Sequence, residues 1–112
     1  MAKERADLLQ GTLDLLVLKA LQLEPQHGFA IAQRIQQLSS DVLRIEQGSL
    51  YPALYRLEER GWIKGTWVEK AGERRRRFYG LTPSGERVLR RQRETWDDFV
   101  EAVRLVTRGD HA

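Results

Sequence analysis

The sequence predicts a mainly α-helical fold with a small β-hairpin, namely a winged helix-turn-helix followed by a long C-terminal dimerisation helix. The chain has 112 residues, enough for one domain and an appendage. Its apolar residues recur at helical spacing in successive segments. Two β-rich runs, at residues 62–69 and 74–81, are separated by four residues that include a glycine, which is typical of a hairpin.

The first helix is predicted over residues 8–23. Its start is either Asp7, which would form a capping pair with Gln10, or the pair formed by Gly11 and Thr12. Its apolar residues lie on nearly all sides of the helix. Such a helix needs apolar cover on every side, which is more than the core of one small domain provides.

A second, amphipathic helix is predicted over residues 27–38, after a turn at residues 24–26. Val42, Leu43 and Ile45 predict a short extended strand over residues 41–46. With the elements that follow, the predicted order is helix, helix, short strand, helix, hairpin and long helix.

The third helix is predicted to begin at Ser49 as N-cap, with Pro52 in its first turn and Gly61 as its C-terminal stop. Leucines spaced three or four residues apart form its buried stripe, so its other sides face solvent. The exposed hydroxyls and guanidinium suit phosphate oxygens and base edges, although an ordinary surface helix with tyrosines packed on the hairpin is the alternative. The helix residues predicted to contact DNA are Ser49, Tyr51, Pro52, Tyr55 and Arg56.

The positive charge of the chain is concentrated in one segment. The net charge is only +3, yet residues 70–91 hold 8 basic and 2 acidic side chains, whereas the segments on either side are slightly acidic. Adjacent guanidiniums repel one another, whereas each phosphate that they neutralise releases counterions and favours binding. A solvated face, RNA or an acidic protein partner are the alternatives to DNA. The hairpin residues predicted to contact DNA are Arg74, Arg75, Arg76 and Arg77.

The last helix is predicted over residues 84–107, with Thr82 as its cap and Pro83 in its first position. It would be about 36 Å long, which exceeds the radius of a domain of this size, so it should project. Gly85 in its first turn indicates close packing. The alternative to a dimer seam is a helix folded back on its own domain. The predicted seam residues are Leu89, Trp96, Phe99, Val100, Val103 and Val106.

These patterns divide the chain into a winged-helix DNA-binding domain at residues 1–82 and a dimerisation helix with a short tail at residues 83–112. With no cysteine, neither a disulfide framework nor a thiolate metal site is expected. His27 suggests a capping role and His111 lies in the tail, so no catalytic residue, metal or cofactor is expected. No membrane span or signal peptide is expected either, and the predicted location is cytoplasmic.

Several motifs resemble those of the PadR family of bacterial transcriptional regulators. They are LQGTLDLL at residues 9–16, HGF at 27–29, QGSLYPAL at 47–54, LE with a following glycine at 57–61, and LTPSG at 81–85. The resemblance covers about residues 8–106, and the short ending after one long helix is similar to the subfamily with a single C-terminal dimerisation helix.

The resemblance implies a winged-helix homodimer, usually a repressor, that binds an inverted-repeat operator. Ser49, Tyr51, Pro52 and Tyr55 match its DNA-contacting positions, and the arginines at 74–77 match its basic wing in type. Some members bind planar aromatic molecules near the dimer interface, and Trp96 is the matching candidate for an effector site. Phe29 departs from the pattern, because tyrosine is common after His-Gly.

The sequence therefore predicts a homodimeric, non-enzymatic DNA-binding repressor with double-stranded operator DNA as its partner and an aromatic small molecule as its possible effector. Two other classes are alternatives. One is a protein-interaction module that uses the last helix, and the other is a small-molecule sensor without specific DNA binding. Neither accounts for the hairpin arginines and the exposed face of the third helix together.

Overall fold

The computed structural model describes residues 2–108, with side chains from residue 12 onward. Over these residues the chain is mainly helical with a small antiparallel sheet, as predicted. The elements are α1 (Ala2–Leu23), β1 (Gln26–His27), α2 (Gly28–Leu38), α3 (Gln47–Glu59), β2 (Ile63–Val68), β3 (Arg76–Leu81) and α4 (Pro83–Thr107).

Helix α1 lies at the centre of the molecule and contacts α2, α3, α4 and β3. Leu13, Val17 and Leu18 are buried, and Leu15 and Leu16 pack partly against the same core. This central position explains why the helix is apolar on nearly every side. It begins at Ala2, so neither predicted start is correct. Asp7, Gln10 and Gly11 lie in the part of α1 whose side chains are outside the described structure.

Residues 41–46 do not form the predicted strand. They are an irregular connection between α2 and α3. Ser40 and Asp41 have φ angles of 53° and 67°, and this left-handed backbone turns the chain away from an extended path. Leu43 and Ile45 pack partly against the core, which accounts for their apolar character. The third strand is instead β1, which pairs with β3 in the sheet order β1-β3-β2.

Helix α3 begins at Gln47, with Glu46 as an N-cap that makes no side-chain hydrogen bond. The prediction that Ser49 caps the helix is therefore wrong, because the backbone is already helical at Gln47. Pro52 consequently lies in the second turn, where it removes a main-chain hydrogen bond. The C-terminus is as predicted: Gly61 has a φ of 75°, and its N–H donates to the Glu58 carbonyl at 2.9 Å.

The wing consists of β2, β3 and the loop at residues 69–75 between them. The loop is longer than the predicted four-residue link. A turn closed by the Glu73 N–H on the Lys70 carbonyl at 3.0 Å, with Gly72 at a φ of 79°, delays strand pairing until Val68 lies opposite Arg76. Arg74 and Arg75 therefore belong to the loop and not to a strand.

Helix α4 starts as predicted: Pro83 occupies its first turn, and the Thr82 hydroxyl accepts a hydrogen bond from the Gly85 N–H at 3.0 Å. Val88 and Leu89 are buried in the core of this chain, with Leu89 only 2% exposed. The prediction that Leu89 lies in an intermolecular seam is therefore wrong, since α4 still packs on its own domain at that point. The molecule measures 66 × 31 × 20 Å, and most residues of α4 after Leu89 are exposed.

Candidate nucleic-acid interface

A groove runs between α3 and the wing, with a volume of about 710 Å³. Aromatic rings from both sides form much of its lining, together with charged side chains from α3 and β3. The residues that border it are Tyr51, Tyr55, Glu58, Glu59, Trp67, Arg77 and Tyr79. The groove therefore joins the predicted recognition helix to the predicted wing.

Helix α3 presents several of its predicted contact residues to solvent. Ser49, Tyr51, Pro52 and Tyr55 are all exposed, and Leu50, on the opposite side, is fully buried. These four residues thus share one accessible region of the helix. Hydroxyl groups in such a position can donate to phosphate oxygens or to base edges.

The ring of Tyr51 is held against the start of α2. A Cβ atom on Gly28 would lie 2.8 Å from the Tyr51 hydroxyl and 2.9 Å from its ring, so Gly28 provides the space for this ring. Phe29, the next residue, is exposed and borders an adjoining groove with Tyr51 and Trp67. The HGF motif therefore positions an aromatic residue of the recognition helix.

Arg56 faces a different neighbour from the other α3 candidates. Its Nη2 atom lies 2.6 Å from Oδ1 of Asp14 on α1. The guanidinium is half exposed, so it remains accessible from outside. DNA contact by Arg56 stays a prediction, and the structure adds that its charge is shared with a carboxylate.

Three of the four consecutive arginines are exposed on the wing, namely Arg74, Arg75 and Arg76. The Arg75 guanidinium lies 4.5 Å from the centroid of the Trp67 ring. Arg76 projects to the other side of the strand, where its Nη1 is 3.2 Å from Nε2 of His27. The arginines thus reach both faces of the wing, as the alternation of strand side chains predicts.

Arg77 differs from its neighbours, because its guanidinium is paired with the carboxylate of Glu58 on α3. The Cζ atom of Arg77 also lies 5.4 Å from the centroid of the Trp67 ring and 5.9 Å from the centroid of the Tyr79 ring. Burial raises the pKa of Tyr79, an effect that Arg77 opposes and Glu58 reinforces. The network links the wing to the recognition helix.

His27 connects the wing to α2. Its Nδ1 accepts a hydrogen bond from the Ala30 N–H at 3.3 Å, which confirms the predicted capping role. Burial, reinforced by the positive charge of Arg76, lowers the pKa of His27 below its usual value. A neutral imidazole has one ring nitrogen free to accept, so protonation would remove the cap and place a second positive charge beside Arg76.

A second groove, of about 460 Å³, lies between α1 and α4 on the other side of Arg56. Trp96 and Phe99 of α4 form its aromatic wall, and their ring centroids are 6.2 Å apart. Asp14, Arg56 and Arg91 provide its charged groups. Trp96 is therefore brought next to a cavity, as an effector site would require.

Trp96 and Phe99 also belong to an apolar face of α4 that is largely uncovered in the single chain. Its members are spaced three or four residues apart, which places them on one side of the helix. They are Trp96, Phe99, Val100, Val103 and Val106, all exposed except Val100, which is half-buried. Five of the six predicted seam residues thus form a continuous exposed stripe.

Sequence reasoning did not identify Trp67 and Glu58, which border the groove between α3 and the wing. Trp67 lies opposite Arg77 in the strand ladder, and cross-strand pairs of this kind become visible once the register is known. Glu58 belongs to the LE motif, but its pairing with an arginine depends on how α3 packs against β3.

The described residues contain no cluster of His, Cys, Asp and Glu side chains that could hold a metal ion. Within the same part of the chain, no helix is long and apolar enough to cross a membrane.

Comparison with known proteins identifies related sequences and folds. A model of the transcriptional regulator PadR-like family matches residues 17–91. A transcriptional regulator from Clostridium thermocellum has a similar structure, with a TM-score of 0.84 and 26% identity over 91% of this chain and 99% of that protein. A PadR family regulator from Eggerthella lenta superposes with a TM-score of 0.82 and 31% identity over 97% of this chain and 93% of its own.

One solved structure of the same fold contains DNA. It is Bacillus subtilis PadR in complex with operator DNA, which is 21% identical and has a TM-score of 0.65. The match covers 71% of this chain and 45% of that protein, so the present chain spans less than half of its length. At this identity the likeness establishes a shared fold.

Proposed function

The chain belongs to the PadR-like family of transcriptional regulators, and we propose that it is a repressor that binds an inverted-repeat operator as a homodimer. Members of the family are transcriptional regulators and not enzymes, which agrees with the expectation of no catalytic site. We further propose that it acts in the cytoplasm, where a bacterial chromosome lies.

The observation that carries the proposal is the position of the exposed arginines beside the exposed face of α3. Arg74, Arg75 and Arg76 line a groove together with Tyr51. Tyr51 also lines the neighbouring groove, where it is joined by Tyr55. Cations that contact phosphates supply affinity, and hydroxyl groups that reach base edges supply specificity, so one surface provides both. The complex of Bacillus subtilis PadR with operator DNA supports the same use of this fold.

The proposed DNA contacts on α3 lie between Ser49 and Arg56, since Glu58 and Glu59 would repel phosphate beyond them. The exposed wing arginines would follow the backbone or the minor groove beside the recognition helix. The proposed contact residues are Ser49, Tyr51, Pro52, Tyr55, Arg56, Arg74, Arg75 and Arg76.

We propose that residues 83–112 serve mainly as a dimerisation arm and residues 1–82 as the DNA-binding domain. The uncovered stripe from Trp96 to Val106 supports this division, because exposed apolar surface of this kind is usually covered by a partner. A two-fold dimer would place two recognition helices about 34 Å apart on one face of the duplex, which requires a roughly palindromic site.

A second proposal concerns release from DNA by a planar aromatic molecule. The groove beside Trp96 supports it, because it combines two aromatic rings with the guanidinium of Arg56 on α3. Titration calorimetry with a panel of planar aromatic compounds tests this proposal. Trp96→Ala should lower the affinity of any binder about tenfold, while Trp67→Ala, at an exposed tryptophan of the wing, should leave it unchanged.

Selection of genomic fragments at a stated salt concentration tests the proposed function directly. We expect the recovered fragments to share an inverted repeat. Arg74, Arg75 and Arg76 are replaced by alanine in a second test. The slope of the logarithm of the binding constant against the logarithm of the salt concentration should then become shallower by about 0.9 for each phosphate that is no longer neutralised. Fragments without a common sequence would contradict specific recognition, and an unchanged salt slope would remove the wing from the interface.

A further inference from the structure

We propose that Arg77, unlike the three arginines before it, is a positioning residue that fixes the wing against the recognition helix. The inference rests on the proposed DNA-binding function and assigns a separate role within it. It makes the pair formed by Arg77 and Glu58 a determinant of sequence specificity, and it leaves phosphate binding to Arg74, Arg75 and Arg76.

The first argument is the way in which one carboxylate joins three elements. Glu58 on α3 and Arg77 on β3 form an ion pair, in which Oε2 of Glu58 accepts a hydrogen bond from Nη2 of Arg77. The same oxygen accepts a hydrogen bond from the main-chain N–H of Gly65 on β2 at 3.2 Å. The side chains of Glu58 and Arg77 are each 31% exposed, so the network is partly shielded from water. Networks of this kind hold geometry better than isolated surface pairs.

The second argument is the space that the chain leaves for the guanidinium. A Cβ atom on Gly65 would lie 2.7 Å from Cζ of Arg77, so any larger residue would displace this group. The guanidinium lies near the rings of Trp67 and Tyr79, and Tyr79 is buried. Arg77 is therefore half-buried in a space that Gly65 leaves open, whereas Arg74, Arg75 and Arg76 are exposed.

The third argument concerns charge. Because Glu58 compensates the charge of Arg77 at contact distance, this arginine adds little to the field that DNA meets. A phosphate that drew the guanidinium away from Glu58 would leave this carboxylate with the Gly65 N–H as its remaining partner, next to the DNA. Retaining the ion pair is therefore favoured, and the wing presents its three exposed cations to the duplex.

A fixed wing favours recognition of one sequence, because the recognition helix and the wing must contact the same duplex at the same time. If the angle between them is set before binding, less conformational freedom is lost on association. Loosening the wing should reduce binding to the operator more than binding to unrelated DNA, which needs only phosphate contacts.

The experiment compares substitutions within the Arg77–Glu58 pair with the same types of substitution at residues outside the pair. The variants are Arg77→Lys and Glu58→Gln, with Glu59→Gln and Arg87→Lys, at an exposed arginine of α4, as controls. Binding is measured to a duplex recovered by the wild-type protein and to a shuffled duplex of the same length, and thermal unfolding establishes that each variant is folded. We expect Arg77→Lys and Glu58→Gln to lower the ratio of the two affinities about tenfold. The controls should leave this ratio within about twofold.

Glu58→Gln gives the sharpest result, because the two explanations predict opposite signs. If the carboxylate merely repelled DNA, its removal would strengthen binding to the operator. If it positions the wing, binding to the operator weakens although a negative charge has been removed. An unchanged affinity ratio in both Arg77→Lys and Glu58→Gln would overturn the proposal.

A measurement without DNA separates this inference from the proposed function. The chain has no cysteine, so spin labels can be attached to single cysteines introduced at Glu59 on α3 and at Ala71 in the wing loop. In labelled protein diluted with unlabelled protein, Arg77→Lys should broaden the distance distribution and Arg87→Lys should not. Equal widths would overturn the positioning role. A wild-type protein that did not discriminate between duplexes would instead contradict the proposed function.

Discussion

Nη2 of Arg56 lies 2.6 Å from Oδ1 of Asp14, and this ion pair joins α3 to α1 at the edge of the groove that Trp96 lines. The ion pair thereby links α3 to the groove beside the projecting part of α4. A ligand that entered the groove would meet the same guanidinium.

The Asp14–Arg56 pair should matter more for DNA binding than for stability. Both side chains are partly exposed, so a double-mutant cycle with Asp14→Asn and Arg56→Gln should give a coupling below about 1 kcal/mol in denaturant unfolding. Asp14→Asn should strengthen DNA binding a few-fold, because it frees the guanidinium and removes a carboxylate. Arg56→Gln should weaken binding and reduce the salt slope. A salt slope unaffected by Arg56→Gln would exclude Arg56 from the interface.

Gly85 should be intolerant of alanine although it lies in a helix. Alanine normally stabilises a helix by about 1 kcal/mol relative to glycine. At Gly85, however, a Cβ atom would lie 2.8 Å from the carbonyl carbon of Trp62 and closer still to its oxygen. We expect Gly85→Ala to lower the free energy of unfolding by about 2–3 kcal/mol, measured by urea denaturation.

The helical Gly48 provides the control for this substitution. It is exposed and has nothing near the Cβ position, so Gly48→Ala should be neutral or stabilising by up to about 1 kcal/mol. Similar losses of stability in both variants would show that the close approach of α4 to Trp62 is not what constrains position 85.

The exposed stripe on α4 should determine the oligomeric state. Trp96→Glu combined with Phe99→Glu should produce monomers in light scattering, because two carboxylates cannot be buried in an apolar seam without a large cost. Leu105→Glu is the control, since Leu105 is exposed on the opposite side of the same helix. A wild-type protein that is monomeric would refute the dimer, and dissociation by Leu105→Glu alone would place the seam on the wrong face.

The stability of the protein should decrease as the pH falls below about 6.5. Burial and Arg76 lower the pKa of His27 in the folded chain, so the unfolded chain binds a proton more readily. The contribution of the neutral imidazole is therefore complete above the pKa of the unfolded state and is lost as the pH falls towards the pKa of the folded state.

His27→Asn separates this effect from other titrations, since asparagine can also accept the capping hydrogen bond but carries no proton in this range. Urea midpoints measured between about pH 5 and 8 should fall more steeply for the wild type than for the variant. Parallel profiles would mean that His27 does not contribute to the pH dependence.

Local sequence patterns predicted the helices and their ends well where the deciding contacts lie within a few residues. Thr82 and Pro83 begin α4 as expected, and Gly61 ends α3. The predicted N-cap of α3 was wrong by three residues, because Glu46 caps the helix through its main chain alone and provides no recognisable side-chain signal.

Contacts between distant elements were less accessible to sequence reasoning. The heptad pattern placed Leu89 with Trp96 and Phe99, but Leu89 lies where α4 still packs on its own core. Periodicity identifies one face of a helix without indicating where along its length the covering surface changes.

The sequence by itself determined the fold class, the four helices, the hairpin and the accumulation of arginines at one place, because hydrophobic spacing and turn residues act locally. Only the tertiary structure decided that adjacent arginines have different environments. Arg76 is exposed beside His27, whereas Arg77 is paired with Glu58 in the space left by Gly65. Consecutive strand residues point to opposite faces, and which groups they meet depends on the strand register and on the packing of α3.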